Sequence, residues 1–287
     1  MTTRKGFSRR AFLHGSALAA GAAALHGCTP TKTARRFRKP GDLLNIGVIG
    51  VGGQGRTNWS AMLECGNTRV AAMCDVDAEA IDGARGWYQE KGMRADFAVY
   101  ADYRKMLEAE KGLDAVVVST PDHTHARAAI QAMRQGCHVY VEKPLVRTIW
   151  EARYFGQVAR SCGVLTQMGN HGSARDGTRR GIEILRSGLL GNVTEVHVWT
   201  NRPEISPGNT WGWKQPLKRP SGEDPVPAGL DWECWLGTAP ARPFKKGVYH
   251  RIMWRAFYDF GTGAFGDMAC HTMNLAFRGL DLGQVVA

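Results

Sequence analysis

From residue 43 to residue 141 the chain alternates between two patterns. Short continuous apolar runs at 43–49 (LLNIGVI), 69–74 (RVAAMC), 113–119 (LDAVVVS) and 137–141 (CHVYV) have the length and composition of strands buried on both faces. A shorter run at 96–100 fits the same role. Between these runs, 77–90, 103–109 and 123–135 read as helices. Strands alternating with helices predict a parallel sheet with helices on both faces. Past residue 165 the texture changes. The segment 192–200 (NVTEVHVWT) alternates as a half-buried strand should. Six of the nine tryptophans follow residue 198, in a stretch rich in Pro and Gly.

Charge alters this picture only at the N-terminus. The 287 residues carry a formal net charge of +11, which taken alone suggests nucleic acid or an anionic membrane. Nine basic residues (Arg4, Lys5, Arg9, Arg10, Lys32, Arg35, Arg36, Arg38, Lys39) and no Asp or Glu lie in residues 1–40. The rest carries 28 basic against 26 acidic residues, so the body offers nucleic acid no basic footprint. Ser8-Arg9-Arg10-Ala11-Phe12-Leu13, followed by an Ala/Gly-rich run to Leu25, resembles a twin-arginine signal over 1–28, a route that exports folded proteins. A disordered basic tail is the alternative. Leu25-His26-Gly27-Cys28 has the outline of a lipobox, so a lipid anchor at Cys28 and simple cleavage nearby both stay open. Residues 29–42 read as a tether. The address implied is periplasmic or otherwise extracytoplasmic, reached through the twin-arginine export machinery. None of the seven cysteines forms a C-x-x-C pair. A chain folded before export closes its core under reducing conditions, so free buried thiols are expected.

The first apolar run leads into Gly50-Val51-Gly52-Gly53-Gln54-Gly55, a G-x-G-x-x-G opening a helix. Such glycines let the backbone turn tightly and approach a pyrophosphate, while the helix N-terminus offers N–H donors. The second run ends at Asp75, twenty positions after Gly55. A carboxylate there accepts bonds from both ribose hydroxyls and repels a 2′-phosphate, which favours NAD over NADP. Two further segments fall at strand C-termini, where ligands sit in such sheets: Thr120-Pro121-Asp122-His123-Thr124-His125 and Glu142-Lys143-Pro144.

The G-x-G-x-x-G, the Asp after the second strand, a T-P-x-x-x-H turn and an E-K-P turn, in this order, resemble the glucose–fructose oxidoreductase / inositol dehydrogenase / MocA (Gfo/Idh/MocA) family. Gln167-Met168-Gly169-Asn170 and Gly266-Asp267-Met268-Ala269-Cys270-His271 match it too. The resemblance runs from residue 43 to the end and points to an exported subgroup. It implies a Rossmann domain over 43–165 and a substrate domain over 166–287. The fold class is therefore α/β: an N-terminal doubly wound parallel sheet, then a partial α+β domain with an open, mostly antiparallel sheet. Relatives run well beyond residue 287, so the second domain is expected to be incomplete. A homo-oligomer is implied for the full-length form.

Lys143, at a strand's C-terminal edge beside the cofactor turn, can donate to a substrate oxygen and stabilise charge there. Asp267 and His271 are four apart, on one face of a helix expected over 266–279. Asp267 can then hold the imidazole while His271 takes the hydroxyl proton. The alternative is an Asp cap with a packed His neighbour. The candidate cofactor set is Gly50, Gly52, Gly53, Gln54, Gly55, Asp75, Thr120, Pro121, His125, Glu142, Lys143 and Gln167, with His125 matching the family's cofactor-side histidine. Asn170, Arg202 and Arg255 are candidate substrate contacts. No metal is expected, because His123, His125 and His171 lack a completing Cys or carboxylate set. Asp122 is expected to cap the helix it precedes. Tryptophans packing on sugar C–H groups suit a carbohydrate, though core filling serves each one equally.

Three functions follow as expectations. One is an exported oxidoreductase acting on a sugar, polyol or glycoside at a secondary alcohol, with NAD bound tightly before export. Another is a redox-neutral NAD-using glycosidase. The last is a binding-only or inactive fragment.

Overall fold

The computed structural model describes residues 41–204, 212–216 and 218–283. The expected export signal, Cys28, the expected tether up to residue 40 and Trp211 lie outside the described residues.

Six parallel strands form one sheet in the order β3-β2-β1-β4-β5-β6. They are β1 (Leu44–Ile49), β2 (Thr68–Cys74), β3 (Ala98–Tyr100), β4 (Ala115–Val118), β5 (His138–Glu142) and β6 (Thr166–Gly169). The connecting helices are α1 (Gln54–Glu64), α2 (Ala78–Glu90), α3 (Tyr103–Ala109), α4 (Asp122–Arg134) and α5 (Ile149–Cys162). The sequence reading of β1–β5 and of the helices between them holds to within one or two residues at most element ends, whereas α5 and β6 were not anticipated. Local chemistry explains the helix starts. Asp77 and Asp102 accept from the N–H groups of Glu79 and Arg104, and Thr148 with Glu151 forms a full capping box. One boundary moves. β6 hydrogen-bonds along β5 from Val139↔Thr166 to Glu142↔Gly169, so the first unit extends past residue 165. The reason is that β5 presents an open ladder edge and α5 returns the chain to it.

Two apolar layers flank the sheet. One gathers Val116, Val118, Val139 and Val141 with Ala129, Met133 and Phe155. The other gathers Ile46, Val48 and Val70 with Trp59 and Tyr88. β1 contributes to both because its side chains alternate faces.

The remainder holds α6 (Asp176–Arg186), α7 (Trp232–Leu236), α8 (Gly263–Thr272), α9 (Asn274–Gly279) and two short 3₁₀ turns. The helix expected over 266–279 starts earlier and is divided at Met273 into α8 and α9. The strand expected at 192–200 is not formed. No described residue past 169 is in a strand, apart from an isolated bridge between Asp77 and Leu230. A strand needs a ladder partner for its backbone groups, and none of the described residues supplies one. Trp199 is accordingly 81% exposed. The tryptophans Trp213, Trp232, Trp235 and Trp254 are buried. The last three join Leu230, Phe244, Tyr249 and Phe260 in a third apolar cluster, so they serve as core rather than as open sugar platforms.

This third cluster is stitched to the carboxyl end of the sheet. Ala78 N donates to Gly229 O (2.8 Å), Asp231 N to Val76 O (2.8 Å) and His123 N to Phe260 O (3.1 Å). Cys74 and Cys137 are buried thiols as expected, but Cys65 is exposed at the C-cap of α1. Among the described residues no helix is long and apolar enough to cross a membrane.

Candidate active site

The strand order places its reversal between β1 and β4, and the loops that follow these two strands diverge there. The loop after β1 is the glycine motif. Gly50 has φ +83°, and a Cβ there would stand 2.6 Å from the carbonyl carbon of Ser119 and 2.8 Å from Thr120 N. A Cβ on Gly55 would stand 2.0 Å from Gly50 O. The two loops touch backbone to backbone at Gly50, where a side chain would part them, and a side chain at Gly55 would push the glycine loop off its own helix. α1 then opens without a side-chain cap, and although Gly55 N donates to Gly52 O (2.9 Å), Gln54 N at its start is left for an anion.

Asp75 folds over this loop. Its carboxylate accepts from Val51 N (2.7 Å), Gly52 N (3.4 Å) and Asp77 N (3.0 Å). Burial pushes its pKa up, against the pull of those three N–H groups. It therefore shapes the loop as well as presenting acceptors to a ribose. A polar chain missed in the sequence lies behind it. Gln54 Nε2 donates to Asn58 Oδ1 (3.1 Å), and Asn58 Nδ2 donates to Ser119 Oγ (3.0 Å) and Glu142 Oε1 (2.9 Å). The available signal was the i,i+4 spacing of Gln54 and Asn58 on a helix whose other inward residues are apolar.

One cleft of about 1880 Å³ is lined by Gly50, Gly52, Gly53, Gln54, Asp75, Thr120, Pro121, Glu142 and Lys143. Arg202, Arg255, Asp267 and His271 line it as well. The glycine loop and the residues proposed for chemistry thus share one space. Three expected cofactor contacts take other positions. Gly55 is buried beneath the loop. Gln167 is exposed on β6 and donates to Met168 O (2.8 Å). His125 is 1% exposed, and its ring nitrogens face Pro144 O (2.9 Å) and Thr120 O (2.6 Å). It joins the Thr120 and Pro144 turns from behind and does not line the cleft, because the first turn of α4 rotates it inward.

The acid–base pairing differs from the expected one. Asp267 and His271 do lie on α8, but Asp267 turns to cations. Lys143 Nζ donates to its Oδ1 (2.6 Å) and to its main-chain O (2.8 Å). Arg255 Nε lies 3.3 Å from Oδ1 and Arg202 Nη1 3.0 Å from Oδ2. The two arginines, expected to touch substrate, therefore converge on Asp267 at the cleft wall. Arg255 is further fixed by stacking over Trp254, 4.2 Å from the ring centroid. Burial raises the Asp267 pKa, but Lys143, then Arg255 and Arg202, outweigh it and hold the carboxyl below its ordinary value. A charge-assisted bond to a cation outcompetes one to a neutral imidazole.

His271 pairs instead with Asn170, expected as a substrate contact and in fact 8% exposed. Asn170 Nδ2 donates to Cys270 O, which turns its Oδ1 towards His271 Nδ1 at 2.9 Å. The imidazole thus carries its proton on Nδ1, and Nε2 is an acceptor. Burial, then the nearby Lys143 and His171, push its pKa down to about 4. His171 stands with its ring centroid 5.7 Å away.

The other sequence-selected residues are structural. His123 is 2% exposed, packs against Trp235 and Phe260, and has Nε2 3.1 Å from Trp235 O, so that nitrogen donates. Burial pushes its pKa down to about 4. Asp122 does not cap α4. Its Oδ2 accepts from Thr262 N (3.1 Å) and Oγ1 (3.0 Å). Among the described residues no group of three or more His, Cys, Asp or Glu is placed to hold a metal ion.

Comparison with known proteins agrees with this geometry. Residues 44–170 match the family described as "Oxidoreductase family, NAD-binding Rossmann fold", and residues 179–277 match that family's C-terminal alpha/beta domain. The chain belongs to the Gfo/Idh/MocA family. A "Glycosyl hydrolase family 109 protein" of Solibacter usitatus is 34% identical over 160 residues, covering 52% of this chain and 35% of that protein. A protein of the same name from Shewanella pealeana is 28% identical over 155 residues, covering 53% and 34% respectively. The chain thus spans about a third of the length of these curated relatives. The crystal structure of an oxidoreductase domain protein from Kribbella flavida shares the fold, with a TM-score of 0.55 at 22% identity over 84% of this chain and 54% of that one. The family's cofactor is NAD, and the bare glycine loop, the uncapped α1 and Asp75 fit it. The N–H groups at Gly53 and Gln54 would hold its pyrophosphate and Asp75 its ribose hydroxyls.

Proposed function

We propose that this Gfo/Idh/MocA protein is an exported NAD-dependent oxidoreductase acting at a secondary alcohol of a sugar, polyol or glycoside. The observation that carries the reading is the neutral His271, whose tautomer leaves Nε2 as an acceptor in the cleft that also holds Lys143 and the glycine loop. Bound NAD supplies the hydride acceptor. The chain's own residues handle the proton. His271 Nε2 takes it from the substrate hydroxyl, Asn170 steadies the Nδ1–H of the imidazolium that results, and Lys143 donates to the oxygen as it becomes a carbonyl. Asp267, held by its cations, keeps Lys143 aimed.

The test is purification without added cofactor, then nicotinamide absorbance before and after a panel of sugars. A bound nicotinamide reduced by at least one sugar supports the reading. No bound nicotinamide, no binding on addition of NAD and no reduction with any sugar would overturn it.

A second reading is favoured by the relatives named as glycosyl hydrolases. In it the same residues remove and restore hydrogen within one turnover, so a glycosidic bond is hydrolysed without net redox change. Release of an aglycone at constant NADH supports that version, and accumulation of a keto-sugar opposes it.

Export is supported by the Arg9-Arg10 pair and the apolar run after it. Because no soluble NAD pool serves an extracytoplasmic enzyme, we expect the cofactor to travel with the folded protein. Fractionation of cells carrying the native chain and an Arg9→Lys/Arg10→Lys variant tests this, and retention of a lipid label tests Cys28. Sedimentation of the exported form tests the homo-oligomer.

A further inference from the structure

The T-P-D-H turn carries more than cofactor contacts. Thr120 and Pro121 line the cleft on the cofactor side. Asp122, the next residue, is 4% exposed and reaches a segment 140 residues away, where Thr262 N and Oγ1 both donate to its Oδ2 at 3.1 and 3.0 Å. Thr262 is the N-cap residue of α8, and its own side chain supplies no capping bond to that helix. The helix N-terminus is thus tied through Thr262 to the carboxylate of another element. The same turn grips the neighbouring residue, because His123 N donates to Phe260 O at 3.1 Å. Within α8 a Cβ on Gly266 would lie 2.2 Å from the Thr262 side chain, so the glycine leaves that side chain room over the first turn of its own helix.

The turn itself is stiff. Thr124 N and Oγ1 donate to Pro121 O, each at 3.1 Å, and His125 Nε2 stands 2.6 Å from Thr120 O. A displacement at Thr120 is therefore carried to Asp122, and from there to the helix that presents Asp267 and His271.

We propose that Asp122 is a positioning residue, a buried acceptor that locks the N-terminus of α8 to the cofactor turn and so sets where Asp267 and His271 stand relative to bound NAD. The inference rests on the oxidoreductase reading for its kinetic consequence. Its structural consequence is independent of that reading, and the two are tested separately.

The experiment compares Asp122→Ala and Asp122→Asn in the full chain by hydrogen–deuterium exchange. Asn keeps an oxygen able to accept both Thr262 bonds, while Ala removes it. In Asp122→Ala the amides of α8 exchange at least about tenfold faster while the sheet strands keep their protection. Asp122→Asn restores slow exchange. NAD affinity stays within about twofold, and with an active sugar kcat falls roughly 100-fold, with a smaller change in KM, as misplacement of a proton acceptor demands. Unchanged α8 exchange in Asp122→Ala, or an increase shared equally by the sheet, overturns the proposal. So does Asp122→Asn behaving like Ala. If Asp122→Ala does not fold, Thr262→Val, which deletes only the hydroxyl donor, decides. Faster exchange confined to α8 supports the lock, and native exchange overturns it. Lack of turnover in the unsubstituted protein would count against the oxidoreductase reading and leave the exchange result standing.

Discussion

Asp267→Asn is the substitution that most directly examines the charge arrangement of the site. Asn has the shape of Asp, so packing is kept and only the negative charge is removed. Lys143, Arg202 and Arg255 then face one another around a neutral amide, with side-chain exposures of 15%, 17% and 21%. Removing one partner of a buried ion pair costs about 3–5 kcal/mol, because the remaining charge is left uncompensated. The residual exposure lets these long side chains turn partly to water, which places the expected loss near about 3 kcal/mol. For a domain of this size each kcal/mol shifts the midpoint by roughly 2–4 °C, so thermal unfolding should move down by about 6–12 °C. The pH dependence has a definite sign. The folded pKa of Asp267 is depressed, so its stabilisation is complete above the unfolded value of about 3.9 and is lost as pH falls through the folded one. Between pH 5 and 8 the difference between parent and variant is therefore constant, and it closes in acid. Differential scanning calorimetry from pH 8 down to below pH 4 measures both. A variant within about 1 °C of the parent at neutral pH would refute the view that this carboxylate holds three cations in place.

Three further outcomes follow from the same geometry. Asn170→Asp puts a carboxylate on His271 Nδ1 and raises the imidazole pKa from about 4, so the acid limb of the pH–rate profile moves to higher pH; an unmoved limb would separate His271 from proton transfer. Gly50→Ala must fit a Cβ within 2.6–2.8 Å of the Ser119–Thr120 backbone at φ +83°, and isothermal titration should show at least a tenfold loss of NAD affinity together with a lower melting temperature. His123 has a folded pKa of about 4 against 6.5 unfolded, so the unfolded state takes up its proton first. Stability therefore falls between pH 6.5 and 4 by about 3 kcal/mol from this residue, and urea titrations of His123→Phe should show that part of the slope removed.

Hydrophobic patterning determined the first half of the molecule as far as β5, while α5 and β6 were left unread. A run such as AVVV at β4 has no polar face and cannot be anything but doubly buried, so strands, helices and their parallel order follow from local properties. The glycine loop was legible for the same reason, since positive φ and backbone contact at Gly50 are demands that only a glycine meets. Side-chain partners at the site were not legible. Spacing put Asp267 and His271 on one helical face, but it could not say that three cations from 143, 202 and 255 would reach Asp267 first, or that Asn170 would orient the imidazole. Those pairings span 12 to 124 residues, and the strongest electrostatic partner wins only once the fold brings the competitors together. His125 and Asp122 mark the same boundary. Their motif said that the turn mattered, whereas only the rotation of α4 decided that one faces inward between two carbonyls and the other clasps the N-terminus of α8. The segment 192–200 shows the converse. Its alternation is real, but a strand is a property of two segments, and a pattern in one of them cannot supply the hydrogen-bonding partner that its backbone requires.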